Sequence, residues 1–180
     1  MKSVLISINP KWVEKIASGK KTIEVRKTAP KEVPFKCYIY MTQGTYKDLG
    51  VYSEWIYKNR MKVIGEFICD KVYNLVNAFG GIVFADENLN QLEPQLFRDM
   101  SCMTNEQTAD YLGNKDGYGW HISDLKIYDK PKPIMQFYKP CPIEWKNCPV
   151  CEFYSNYTGC CMNNINRPPQ SWMYVEEVEQ

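Results

Sequence analysis

The first 26 residues constrain the fold most, because they read as a strand, a helix and a second strand in close succession. The apolar run within Ser3–Ile8 predicts a buried strand. Asn9 suits the N-cap of a following helix and Pro10 suits its first turn. Gly19 stands where a left-handed C-terminal cap is wanted, so the predicted helix is short.

The second strand carries charge as well as apolar residues. Polar and β-branched residues alternate through Thr22–Arg26, which predicts a strand with Ile23 and Val25 on its inward face. The opposite face then carries the polar residues of the segment: Thr22, Glu24 and Arg26.

Short strands dominate the rest of the chain. Hydrophobic patterns predict strands at residues 37–41, 63–69, 120–128 and 172–175, and short helices at 53–60 and 106–112. Several short strands with few helices favour a small mixed β-barrel of the α+β class over a doubly wound sheet. The length fits a single domain over residues 1–180, with insertions at about 77–105 and 141–165.

Composition and targeting signals restrict the class of protein. With 44% hydrophobic and 24% charged residues the chain resembles an ordinary globular protein, and no stretch approaches the roughly 20 apolar residues of a membrane span. The apolar run after Ser3 is too short for a signal-peptide core. We therefore expect a cytoplasmic protein that does not enter a membrane.

Positive charge is concentrated near the N-terminus. Residues 1–36 carry nine basic and three acidic side chains, whereas the remainder carries 13 basic and 18 acidic ones. Such a segment can form a basic face that follows phosphates, and the alternative is a solvated lysine-rich surface.

Five of the eight cysteines lie within 21 residues: Cys141, Cys148, Cys151, Cys160 and Cys161. In a reducing compartment such cysteines are thiols or metal ligands rather than disulfides. The C-x-x-C turn of Cys148 and Cys151 predicts a structural Zn²⁺ site, with Cys160 as third ligand and either Cys141 or Cys161 as fourth. The zinc would stabilise this loop, and free thiols or a redox pair are the alternatives.

Several motifs, in their order along the chain, resemble those of ASCH domains, especially phage-like members. The most specific is G-x-K-x-x-E-x-R, which here runs from Gly19 to Arg26 and follows strand and helix. Similar segments follow in later strands or just before them: Gly65-Glu66-Phe67, Gly117-Tyr118-Gly119-Trp120-His121-Ile122 and Pro168-Pro169-Gln170-Ser171-Trp172.

The resemblance implies a PUA-like barrel whose cleft faces nucleic acid or a modified nucleoside. Relatives of this type include RNA-binding modules, readers of modified bases, ribonucleases and amidohydrolases that act on acylated cytidine nucleosides. Lys21 matches the lysine of those amidohydrolases and would be the catalytic residue if the chain is an enzyme. Glu24 stands where they carry a hydroxyl side chain, and Asn9 replaces the lysine often found before the proline.

Lys21, Glu24 and Arg26 form the predicted ligand-binding set of the second strand. Arg26 can contact a phosphate or a base edge with two hydrogen bonds, and Glu24 can accept one from an amino group of cytosine or adenine. Lys21 can act as a point charge or, if burial lowers its pKa, as a base. The competing interpretation is a structural ion pair between Glu24 and Arg26.

Three later residues complete the predicted ligand-binding set. Trp120 and Trp172 can stack on a base, although tryptophans in such chains also fill cores. Ser171 directly precedes Trp172 and belongs to the same predicted ligand-binding set.

Three functions follow from these observations. The first is a module with a charged cleft that binds nucleic acid or a modified nucleotide. RNA is expected rather than DNA as the nucleic acid. The second is an enzyme on RNA or modified nucleosides that uses Lys21. The third is a zinc-loop module that binds a protein partner.

Overall fold

The computed structural model describes residues 1–45, 53–78, 81–140 and 164–177, which form two β-sheets and four short helices. The strands are β1 (Ser3–Ile8), β2 (Ile23–Arg26), β3 (Phe35–Met41), β4 (Lys62–Cys69), β5 (Val72–Ala78), β6 (Gly81–Ala85), β7 (Gly117–His121), β8 (Ser123–Lys132), β9 (Phe137–Tyr138) and β10 (Trp172–Glu177). The helices are α1 (Pro10–Ala17), α2 (Glu54–Asn59), α3 (Pro94–Ser101) and α4 (Asn105–Leu112).

The two sheets form a half-barrel. The larger has the strand order β8-β4-β3-β1-β10-β9, in which β1 and β3 are parallel and the other neighbours are antiparallel. The smaller is antiparallel with the order β2-β7-β5-β6. This mixed architecture with short helices confirms the predicted α+β, PUA-like fold.

The chain passes from one sheet to the other twice at a single corner. Only Asp70 and Lys71 separate β4 from β5, and only Ile122 separates β7 from β8. At this corner the amide of His121 donates to the Lys71 carbonyl at 2.9 Å, and its Nδ1 lies 2.7 Å from Asp70 Oδ1. The single histidine therefore has a structural partner at the point where the sheet bends.

Apolar residues from both sheets meet in a continuous core. Val4, Ile6 and Ile8 of β1 pack in it with Trp120 of β7, which is completely buried. Leu5 points to the opposite face of the large sheet, where it joins a second cluster with Phe137. The alternation within β1 thus covers both faces of the sheet, as a central strand requires.

Helix α1 follows the sequence signals closely. The Asn9 side chain accepts a hydrogen bond from the Lys11 amide at 3.0 Å, and Pro10 occupies the first turn. Ser18 caps the C-terminus and Gly19 then takes a φ of +72°, the left-handed conformation that glycine adopts without steric cost.

The predicted elements are confirmed with two differences in the second half. Residues 120–128, predicted as one strand, belong to β7 and β8, because the chain passes from one sheet to the other at Ile122. The hairpin of β5 and β6 was not predicted. Its described part, together with α3, occupies most of the stretch interpreted as an insertion at residues 77–105.

Strand β2 differs from its prediction in burial. Ile23 and Val25 pack against Phe97 and Leu112 of the two helices α3 and α4, as an inward face should. The opposite face is buried too, since Glu24 and Arg26 are each only 5% exposed. The charged face of β2 therefore lies inside the molecule.

One glycine of the large sheet marks a close approach of two strands. A Cβ atom on Gly65 of β4 would lie 2.4 Å from the Lys126 carbonyl oxygen of β8. A side chain at this position would force the strands apart. Strand packing therefore explains the glycine of the Gly65-Glu66-Phe67 motif.

Within the described part of the chain, no helix is both long enough and apolar enough to span a membrane.

Candidate functional site: a charged cleft on strand β2

A cleft of about 470 Å³ opens over the charged face of β2. Its lining includes Lys21, Glu24 and Arg26, so the structure brings together the three residues predicted from the G-x-K-x-x-E-x-R motif. The walls come from β1, α1, α4 and the segment before β10. A cleft of this volume falls within the range of small-ligand sites, about 300–1,000 Å³.

Lys21 is buried beside the cleft and held by a helix end. Its Nζ donates to the Ser101 carbonyl at the C-terminus of α3, at 2.7 Å, and lies 3.4 Å from Glu24 Oε2. Only 1% of the residue is exposed. Burial lowers the pKa of Lys21 below its usual value, and the neighbouring Glu24 carboxylate opposes that shift only in part.

Arg26 joins the carboxylate to the first strand. Its Nη2 lies 2.9 Å from Glu24 Oε1 and donates to the Ser7 carbonyl at 2.7 Å. Glu24 therefore lies between two cations, with one oxygen toward each of them. The structure contains the ion pair between Glu24 and Arg26 that was the competing interpretation of the sequence. This pair belongs to a buried row of three charges at the floor of a cleft.

This row leaves hydrogen-bonding capacity unused. Among the described residues, Arg26 Nε is buried without a hydrogen-bond partner, and the buried Glu24 Oε2 has only its ion-pair contact with Lys21 Nζ at 3.4 Å. A buried polar atom without a partner costs roughly 1–3 kcal/mol. Both residues line the cleft, and the groups that complement them are a donor for the Glu24 oxygen and an acceptor for the Arg26 nitrogen.

The segment between α3 and α4 attaches to the start of β2. The Thr22 amide donates to the Met100 carbonyl at 2.8 Å, and the Cys102 thiol to the Lys20 carbonyl at 3.4 Å. Cys102 takes a left-handed φ of 54°, where the chain leaves α3. The stretch interpreted as an insertion thus supplies the carbonyl that holds Lys21 and part of the cleft wall.

Two aromatic residues of the cleft were not predicted. Trp12 of α1 is half-buried, and Lys21 Nζ lies 5.0 Å from the centre of its ring. Tyr111 of α4 is 37% exposed and lines the cleft beside Arg26. Trp12 falls on the apolar stripe of α1 with Val13 and Ile16, a spacing that predicts a core residue, and the sequence gives no signal for Tyr111 beyond its helical pattern.

The other predicted ligand-binding residues lie outside this lining. Trp120 is fully buried and packs edge-on against Phe35 and Trp172, with ring centres 5.0 and 5.6 Å apart. Trp172 donates through Nε1 to Thr28 Oγ1 at 3.0 Å, and the Ser171 carbonyl accepts from the Ser7 amide at 2.9 Å. These contacts place Trp120 in the core and give Trp172 and Ser171 structural partners beside the cleft.

The five clustered cysteines lie outside the described residues: Cys141, Cys148, Cys151, Cys160 and Cys161. In the part of the chain that the structure describes, Cys37, Cys69 and Cys102 are free thiols and no group of three metal-ligating side chains occurs. Burial raises the pKa of the Cys69 thiol to about 12, so this cysteine is an unreactive core residue.

Two larger depressions, of about 650 and 600 Å³, carry different chemistry. The first is lined by Lys2 and Lys36, which pair with Glu32 at 2.6 Å and with Glu66 at 3.1 Å. None of the charged side chains that line either depression is buried. The cleft over β2 is distinguished by its buried charges rather than by its size.

Solved structures share the overall fold of this chain. The crystal structure of ASCH from Zymomonas mobilis aligns with 97% of this chain and 88% of its own, at 19% identity and a TM-score of 0.56. The chain has the ASCH fold. A serine-to-alanine variant of that protein aligns at 17% identity and a TM-score of 0.54, with 97% of this chain and 89% of its own covered.

A tyrosine-to-phenylalanine variant of the same protein aligns at 18% identity and a TM-score of 0.52, covering 98% of this chain and 91% of its own. No protein-family model matches the chain, and no curated protein matches it significantly. At these identities the structural likeness establishes the ASCH fold, while the role of the cleft must be argued from its own residues.

Lys21 should give the protein a measurable pH dependence of stability. Because its pKa is lower in the folded than in the unfolded chain, the unfolded chain binds more protons in the alkaline range below 10.5. The contribution of Lys21 to the free energy of unfolding should therefore increase as the pH rises toward 10.5. Urea unfolding of the natural protein and of Lys21→Met, compared over this range, should show a difference that increases with pH. A constant difference would contradict the lowered pKa.

Proposed function

We propose that the chain binds nucleic acid, or a modified nucleotide, by taking one base into the cleft over β2. The observation that carries the proposal is the row of buried charges that lines the cleft, in which Arg26 Nε has no hydrogen-bond partner and Glu24 Oε2 has only its 3.4 Å ion-pair contact with Lys21. The ASCH fold and the motif resemblance support the same class of ligand.

The two atoms are complementary to the edge of a base. Glu24 Oε2 can accept from the exocyclic amino group of cytosine or adenine, and Arg26 Nε can donate to a neighbouring ring nitrogen. A site that leaves buried polar groups unpaired discriminates strongly against ligands that lack the matching groups. This proposal thus predicts selectivity among bases.

The rim of the cleft suits the remainder of a nucleotide. Lys11 and Lys27 are exposed and lie over the rings of Trp12 and Tyr111, at 4.7 and 5.6 Å from the ring centres. Long lysine side chains at the surface can turn toward a phosphate at little cost. The basic N-terminal segment therefore contributes charge next to the proposed base pocket.

Arg26→Lys tests the role of Arg26 while keeping a cation beside Glu24. The variant lacks the Nε–H donor, so the affinity for the preferred nucleotide should fall by about tenfold or more. We would measure it by calorimetric titration with the four nucleoside 5′-monophosphates and with short RNA and DNA oligonucleotides. Lys130→Ala, which removes an exposed cation from β8, is the control for unspecific charge effects and should give only a small, salt-dependent change. Equal affinity of Arg26→Lys and the natural protein, with unchanged thermal unfolding, would contradict the proposal.

A specific observation also supports an enzymatic function. Lys21 is a buried amine with a lowered pKa beside a carboxylate in a cleft, which is how lysine bases are activated. In its neutral form it could take the proton of an attacking water in the hydrolysis of an acylated cytidine, or that of a ribose hydroxyl in RNA cleavage.

Turnover assays with acylated cytidine nucleosides and RNA would test this second candidate. Lys21→Met should lower the rate by about 10²–10⁴-fold. Lys21→Arg should be equally inactive, because its guanidinium keeps its proton. Activity should rise with pH as Lys21 loses its proton. Activity that persists in both variants would exclude Lys21 as the base. If no substrate is turned over, the enzymatic function is contradicted and only the binding function remains.

We also propose that the cysteine cluster binds one structural Zn²⁺. The support is the spacing of Cys148, Cys151 and Cys160, with Cys141 or Cys161 as the fourth ligand. Elemental analysis should find about one zinc per chain, and Cys148→Ser should lower that content and the thermal stability. Cys102→Ser, a cysteine outside the cluster, is the control. Metal-free protein of full stability would contradict the site.

The same segment is the proposed surface for a protein partner. A partner captured by the natural protein and by Cys102→Ser, but not by zinc-depleted Cys148→Ser, would support this third function.

A further inference from the structure

We infer that Gln170 is a specificity-determining residue of the cleft, that its side-chain amide contacts the sugar of the bound nucleoside, and that Ser7 positions it. The inference rests on the proposed function, in which the hydrogen-bonding edge of a base faces Glu24 and Arg26 at the floor of the cleft. It adds one wall of the cleft to the recognition that the floor provides.

This wall is formed by residues 168–170, which precede β10 and line the cleft. Two consecutive prolines, Pro168 and Pro169, limit its backbone freedom because each ring fixes φ at about −65°. Gln170 follows them and is exposed, so its side-chain amide is accessible to a ligand in the cleft. The wall therefore presents one polar side chain on a stiff backbone.

Ser7 of β1 holds the wall through its hydroxyl and its amide. Its Oγ donates to the Pro169 carbonyl at 2.6 Å, and its backbone N–H donates to the Ser171 carbonyl at 2.9 Å. These two carbonyls belong to the residues on either side of Gln170. The backbone of Gln170 is therefore held from both sides by a single buried residue.

The same residue connects the wall to the floor. The Ser7 carbonyl accepts a hydrogen bond from Arg26 Nη2 at 2.7 Å. The amide, the hydroxyl and the carbonyl of Ser7 thus all bind parts of the cleft. The position of Gln170 is set relative to Arg26, and a ligand that contacts both residues binds with less ordering of the protein.

The place of Gln170 in the cleft suits the sugar of a nucleoside. The glycosidic bond lies on the side of a base away from its amino edge, so a base that meets the buried floor leaves its sugar at the exposed rim. Sugar hydroxyls donate and accept hydrogen bonds, and a glutamine amide offers both complementary groups. Asn9, the other amide of the lining, already uses its Oδ1 to cap α1.

Matched ligands with and without a sugar test the inference. We would compare cytidine with 1-methylcytosine, and adenosine with 9-methyladenine, in calorimetric titrations, because each methylated base keeps the amino edge and lacks the sugar. The nucleosides should bind the natural protein more tightly than the methylated bases. Gln170→Leu should lower the ratio of nucleoside to methylated-base affinity by about 2- to 10-fold for each hydrogen bond lost, with methylated-base affinity unchanged.

Variants of Ser7 test its positioning role. Ser7→Ala removes the hydroxyl that holds Pro169 and keeps the carbonyl that binds Arg26, so it should lower the same ratio and spare methylated-base binding. Ser7→Thr keeps a hydroxyl and should keep most of the ratio. Because both changes act on one contact, the double variant Ser7→Ala/Gln170→Leu should lose no more of the ratio than Gln170→Leu alone. Thermal unfolding of each variant measures its change in stability.

The outcomes separate the inference from the proposed function. A ratio unchanged in Gln170→Leu would overturn the inference, while methylated bases that bind with an Arg26-dependent affinity would keep base recognition by the floor. Equal losses of nucleoside and methylated-base affinity in Ser7→Ala would show a general structural role and overturn the positioning role. Failure of every nucleoside and methylated base to bind would overturn the proposed function and the inference together.

Discussion

The buried row of Lys21, Glu24 and Arg26 is the interaction on which the arrangement of the site depends. A buried charge without compensation costs several kcal/mol, so each member needs its neighbours and further hydrogen bonds. Those bonds come from distant parts of the chain: the Ser101 carbonyl ends α3, and the Ser7 carbonyl belongs to β1. To satisfy three charges on one short strand, the fold must bring α3 and the large sheet against β2.

The same row connects stability to function. A buried ion pair is often no more stabilising than apolar residues of similar volume. Charges that are present for stability alone would therefore be expected to pair completely with one another. Instead Arg26 Nε has no hydrogen-bond partner among the described residues, Glu24 Oε2 has only its 3.4 Å ion-pair contact with Lys21, and both residues line the cleft. The Ser101 carbonyl that holds Lys21 stands directly before Cys102, where the chain leaves α3 in a left-handed conformation. The cleft is thus preorganised for a ligand with polar edges.

The sequence predicted the elements whose signals are local. The capping residues and alternation of the first 26 residues gave β1, α1 and β2, and the motif identified the three charged residues of the cleft. The hairpin of β5 and β6 was missed because Asn74 and Asn77 lower its strand propensity; their side chains instead donate to the carbonyls of Asp86 and Asn114. Tertiary contacts also determine the surroundings of two tryptophans. Trp120 packs in the core, whereas Trp12 lines the cleft although its position on the apolar stripe of α1 predicts a core residue.

The most direct test of the account is the side-chain Nε–H signal of Arg26 in a ¹⁵N-correlated NMR spectrum during titration with a nucleoside 5′-monophosphate. If a base accepts a hydrogen bond from this group, the signal should shift saturably and exchange more slowly with solvent. Its saturation should follow the same curve as the indole signal of Trp12. An Arg26 signal that stays unchanged while signals of exposed residues shift would show that nucleotides bind elsewhere, and would contradict the central role of the cleft.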